Sequence, residues 1–176
     1  MTAKWITVTI ALALSLAAGC GRHSAAEEGS ANTAQPDPGA GPSFSLRLAG
    51  TDTGDFVSAR MRVRAVQITG GGKVLADAVK TPEVDLVQTD QAWLLTTFQA
   101  PADTEEVEFV VSFEGGAVAT GAASFDVDAR CQTLRIAGKV SRIAERRHAV
   151  INLDVARSFV PSSVGMALVP HFQLVY

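Results

Sequence analysis

The sequence predicts an all-β domain, an antiparallel β-sandwich, occupying residues 43–176. Three observations predict it. Apolar residues recur at every second position in several short segments from Ser43 onward, the period of a half-buried strand. A glycine pair, a glycine triplet and prolines punctuate those segments, where turns need positive φ or a fixed φ. Hydrophobic residues make up 47% and charged residues 19% of the 176 residues, enough apolar material for a real core and too little charge for general disorder. This length fits one domain. The formal net charge of −3 lacks the basic excess of a nucleic-acid binder, so no nucleic-acid partner is expected.

In chain order, residues 1–19 read as an export signal. Lys4 and the amino terminus carry positive charge, Ile6 to Leu16 is an uncharged apolar run, and Ala17, Ala18 and Gly19 are small residues before Cys20. That is the layout of a cleaved secretory signal. The apolar run is shorter than the roughly 20 residues a transmembrane helix needs. Residues 20–42 are rich in Gly, Ala, Ser, Pro and Glu and hold no large apolar residue. Such a segment cannot bury enough surface to offset ordering, and it reads as a disordered tether. His23 lies in it and reads as a spacer residue.

Alternation then opens with Phe44, Leu46 and Leu48, and continues with Val57, Ala59, Met61 and Val63. It recurs in Val107, Phe109, Val111 and Phe113, in Ala149, Ile151, Leu153 and Val155, and in Phe172, Leu174 and Tyr176. Strands are expected near 43–49, 57–68, 73–79, 83–88, 92–98, 106–114, 118–128, 133–140, 148–156 and 166–175. The phase slips at Ala65 and Val66, the signature of a bulge. Gly70-Gly71-Gly72 and Gly115-Gly116 are expected to be hairpin turns. Val140, Ile143 and Ala144 have helical spacing and allow a short helix. An outer-membrane barrel ranks low: the chain has a single tyrosine, so there is no aromatic girdle.

Ala17-Ala18-Gly19-Cys20 resembles the lipobox of bacterial lipoproteins, although Ala17 stands where leucine is more common. The resemblance implies a thioether-linked diacylglycerol on Cys20, cleavage before it, and acylation of the new amine. Several acyl chains make a stable membrane anchor. Gly21 follows the cysteine rather than aspartate; in a Gram-negative host this implies the outer membrane, facing periplasm or cell surface. The domain itself resembles a family of bacterial lipoproteins carrying a β-sandwich domain of unknown function. The residues concerned are Phe44 to Asp52, Asp85-Leu86, Asn152 to Ser158, and Leu168-Val169-Pro170. The family's glycine and tyrosine before its middle strands are replaced here by Ala100-Pro101-Ala102-Asp103. The resemblance implies a prealbumin-like or carbohydrate-binding-module-like sandwich and no established activity.

Arg60, Arg62 and Arg64 fall on one strand face and are the candidate ligand-binding residues, an anion site. The plainer reading is a solvated face with Glu106 and Glu108 as cross-strand partners. Lys139, Arg142, Arg146, Arg147 and His148 form a second basic cluster, interrupted by Glu145. It suits either an anionic membrane surface or, the reading preferred from sequence, a charged loop. Asp85, Asp126, Asp128 and Asp154 offer oxygen ligands but not the spacing of a calcium loop, so no metal is expected. Trp93 alternates with Leu95 and reads as core rather than a sugar platform. Cys131 is left alone if Cys20 is acylated and reads as a buried free thiol, with an intermolecular bridge as the alternative in an oxidising compartment. Catalysis would need His148 or His171 beside Cys131, a serine or a carboxylate. The hydrolase, metalloprotease and phosphate-loop motifs are absent. The expectation is therefore a non-catalytic binding or interaction module, held at the membrane by lipid on Cys20, with an envelope protein or glycan as partner and no cofactor. Alternatives are a structural component of the outer membrane and a hydrolase without a recognisable motif.

Overall fold

The structure is a computed structural model that describes residues 41–129 and 132–176. These belong to one compact unit, Pro36–Tyr176. The export signal, Cys20, His23, the tether and Cys131 lie outside the described residues.

Two sheets pack face to face, so the domain is an all-β sandwich. Strands β1 (Ser43–Thr51) and β2 (Phe56–Gly70) open the chain, followed by β3 (Lys73–Ala76), β4 (Glu83–Asp85) and β5 (Trp93–Gln99). Then come β6 (Glu106–Thr120), β7 (Ser124–Asp128) and β8 (Thr133–Lys139), helix α1 (Val140–Arg146) and β9 (His148–Asp154). The chain closes with helix α2 (Val155–Ser158), β10 (Phe159–Ser162), β11 (Gly165–Leu168) and β12 (Phe172–Val175). The small sheet has the order β12-β9-β1-β5; the large one has β10-β11-β7-β6-β2-β3, with β4 added to β2 and β8 to β6.

Alternation decides which faces meet. Phe44, Leu46 and Leu48 of β1 are buried, as are Ile151 and Leu153 of β9. Opposite them lie Ala59, Met61, Val66 and Ile68 of β2 and Phe109, Val111 and Phe113 of β6. Phe98 of the small sheet meets Phe109 of the large one edge-on, ring centroids 5.8 Å apart; such pairs add to the area they bury.

The phase slip in β2 is a bulge. Val63 pairs with Phe113 and Ala65 with Ser112, leaving Arg64 as the extra residue. Because of it, inward positions change from odd numbers (Ala59, Met61, Val63) to even ones (Val66, Ile68), and both halves keep their apolar face inside. Gly71 and Gly72 form the expected two-residue turn between β2 and β3, with φ of 56° and 75°. Gly115-Gly116 does not turn the chain. The strand runs through both residues, Glu114 is the extra residue between paired Phe113 and Gly115, and Gly115 has φ of 141°. The reversal comes later, where Thr120 N donates to Ala123 O at 2.8 Å, and it splits the expected strand at 118–128. The expected strand at 166–175 is likewise split by Val169-Pro170-His171, and β10 was not anticipated.

The sandwich is not antiparallel throughout. β1 pairs parallel to β9, and β7 parallel to β11. Period-two alternation fixes which residues face inward and carries no information on strand direction.

Candidate functional site

Parallel pairing gives the small sheet two distinct ends. Ser45 lies beside His148 at one end of β1, and Thr51 lies beside Asp154 at the other. The chain enters at the first end, here called proximal; the second is distal.

The distal end carries a polar cleft of about 480 Å³, formed by Thr51, Asn152, Asp154, Arg157, His171, Phe172 and Gln173. Its construction follows from β9. Ile151 and Leu153 are buried, so Asn152 and Asp154 project from the outer face. Gln173 of β12 is the cross-strand partner of Asn152 and shares that face. Asp154 ends β9 and caps α2, its Oδ1 accepting from Arg157 N at 2.9 Å. The Arg157 guanidinium lies 4.0 Å from the same carboxylate. His171 is fixed by its main chain: Asp154 N donates to His171 O at 2.9 Å, and His171 N donates to Ser158 Oγ at 2.9 Å.

Within this cleft some polar groups are used and others are free. Thr51 Oγ1 donates to Leu153 O at 3.3 Å. Among the described residues, the Asn152 and Gln173 amides and the His171 imidazole make no side-chain hydrogen bond. Phe172 is 37% exposed; its cross-strand partner is the buried Leu153, so its ring lies on the face opposite Asn152 and Gln173. The carboxylate of Asp154 and the guanidinium of Arg157 nearly cancel. The site therefore offers directional hydrogen bonds without net charge.

The arginine triplet leads elsewhere. Arg60 and Arg62 line a separate trough of about 280 Å³ on the large sheet, with Glu83, Gly116, Ala117 and Asp126; Arg64, displaced by its bulge, is not among them. The partners are not Glu106 and Glu108. Arg60 stands opposite Asp85 and Arg62 opposite Glu83, both from β4. Arg60 approaches the Asp85 carboxylate at 4.0 Å, while Glu108 pairs with Arg135 at 3.6 Å. An adjoining hollow adds Glu114 and Asp128 to Arg62 and Asp126. Among the described residues, carboxylates match or outnumber guanidinium groups there, which does not favour an anion.

The other candidates take structural places. Asp85 Oδ1 accepts from Ala59 N at 3.0 Å and from Val87 N at 3.3 Å. Trp93 is half-buried against the core and donates from Nε1 to Asp85 O at 3.2 Å. The four aspartates are spread over β4, β7 and the cap of α2, and no cluster of three metal-ligating side chains forms among the described residues. Ser158 is fully buried, and its hydroxyl bonds to the main chain of His171 rather than to its ring. The second basic cluster divides between Lys139 at the end of β8, helix α1, Arg147 in the left-handed region and His148 at the start of β9.

Sequence reasoning met Asp154 and His171 separately and missed Asn152, Gln173, Arg157 and Phe172 as one site. Their convergence depends on β12 pairing with β9, a contact with no local signal. Comparison with known protein families, with curated proteins and with solved structures found no match for the chain.

Proposed function

We propose that the protein is a non-catalytic binding module of the cell envelope, held by lipid on Cys20, whose distal cleft takes a neutral, polyhydroxylated ligand such as a glycan. The observation that carries this reading is the set of unengaged hydrogen-bonding side chains, Asn152, Gln173 and His171, gathered in one cleft. Side-chain amides and imidazole both donate and accept, which matches sugar hydroxyls. A cleft of about 480 Å³ falls in the size range of small-ligand sites. The lipid anchor is supported by the residues around Cys20.

The test is calorimetric titration of envelope-derived oligosaccharides into the protein and into the double variant Asn152→Ala/Gln173→Ala. Two lost hydrogen bonds at about 1 kcal/mol each should weaken binding by about tenfold or more. Arg60→Gln/Arg62→Gln should bind as the wild type does. Equal affinity in the cleft variant, or no glycan bound by the wild type, would refute the reading.

A further inference from the structure

The proximal end of the domain, where the chain from Cys20 enters, also carries the second basic cluster. Ser45 N donates to Arg147 O at 3.2 Å, and Ser45 pairs with His148. Beside them Arg142, Glu145 and Arg146 of α1 face Leu174, Val175 and Tyr176 at the end of β12 across a cleft of about 430 Å³. Tyr176 is 37% exposed, and its hydroxyl accepts from Lys139 N at 3.3 Å. Glu145 is engaged by Arg142 at 3.6 Å. Arg146, Arg147 and His148 have no carboxylate partner among the described residues. On the opposite flank of α1 stand Glu105 and Glu106 with Lys139.

We propose that this α1–β12 face rests on the anionic headgroup surface of the bilayer that holds the protein, an inference that depends on Cys20 carrying lipid. Three features converge on it. Guanidinium groups bind lipid phosphates through paired N–H donors. A partly exposed tyrosine beside aliphatic side chains suits the boundary between headgroups and acyl chains. β1 begins at Ser43, two residues before Ser45, so this face stands at the end of the domain from which the tether leaves. The acidic flank, Glu105 and Glu106, is repelled by the same surface and sets the tilt. Gln173 of the distal cleft and Tyr176 of this face are three residues apart along the end of the chain, so at about 3.3 Å per residue some 10 Å separate the cleft wall from the face that rests on the bilayer.

Hydrogen–deuterium exchange of the lipidated full-length protein in vesicles tests this. Phosphatidylethanolamine vesicles containing phosphatidylglycerol should slow amide exchange in residues 140–148 and 174–176 several-fold relative to pure phosphatidylcholine vesicles. The difference should vanish in Arg146→Gln/Arg147→Gln and at high salt, where surface charge is screened. Arg60→Gln/Arg62→Gln should keep it. Identical exchange in both vesicle types would overturn the proposal. So would the same protection from inorganic phosphate with phosphatidylcholine vesicles, which would indicate a free-anion site. A mass lacking the acyl chains, with no vesicle association, would remove the anchor reading and this proposal with it. Lipidated protein whose α1 exchanges freely would remove only the proposal.

Discussion

Gly50 and Asp85 hold the two sheets in register from opposite sides. A Cβ on Gly50 would overlap the Leu86 carbonyl, because the main chain after β4 crosses directly over β1. That crossing is pinned by Leu86 N donating to Ala59 O at 2.9 Å and by the Asp85 carboxylate accepting from Ala59 N. Replacing Gly50 by alanine forces backbone apart and should cost about 1–3 kcal/mol or more. Gly121 is the contrast. It has open space at its Cβ position, so Gly121→Ala should be neutral or stabilise by up to about 1 kcal/mol through the unfolded chain. Urea midpoints of the two variants check the opposite signs. At this scale the sequence was partly legible. Trp93 is packed as its alternation with Leu95 suggested. The main-chain work of Asp85 was hidden, because hydrogen bonds to Ala59 N depend on β4 lying beside β2.

Helix α1 is seven residues long and has one buried side chain, Ile143. An isolated helix of that length does not persist in water, so Ile143 is what docks it. Ile143→Ala should destabilise the domain by about 2–5 kcal/mol. Because the loss falls on one element, exchange in residues 140–146 should accelerate more than in β6, as local opening precedes global unfolding. The spacing of Val140, Ile143 and Ala144 allowed this helix in advance, since a 3.6-residue period is local information. Most strands were visible for the same reason. The double glycine at 115–116 was misread as a turn. Glycine permits a reversal without requiring one, and in β6 it serves a bulge and the close approach of the Arg60 carbonyl to Gly116. Strand direction and partner choice were not legible, which is why the parallel β1–β9 pair and the distal cleft it helps to build appear only in the fold.

The whole domain shares one core. Buried residues run from Phe44 to Leu168 and draw on both sheets, so unfolding should be a single transition. Trp93 fluorescence and far-ultraviolet circular dichroism should follow the same curve. Phe109→Ala, which removes the ring that meets Phe98 across the sandwich, should shift both together by about 3–5 kcal/mol. Separate midpoints for the two probes would contradict a shared core. Folding must bring together partners as distant as Thr51 and Leu153, 102 positions apart, and this places the domain among slow, topology-limited folders. The proposed role places ligand at the distal end of the small sheet, where Thr51 lies beside Asp154. The most direct measurement of that account is amide exchange of the protein with and without envelope-derived oligosaccharide. Protection confined to residues 152–154 and 171–173 is the predicted result. Protection confined to the Arg60–Arg62 trough, or no change at saturating oligosaccharide, would contradict it.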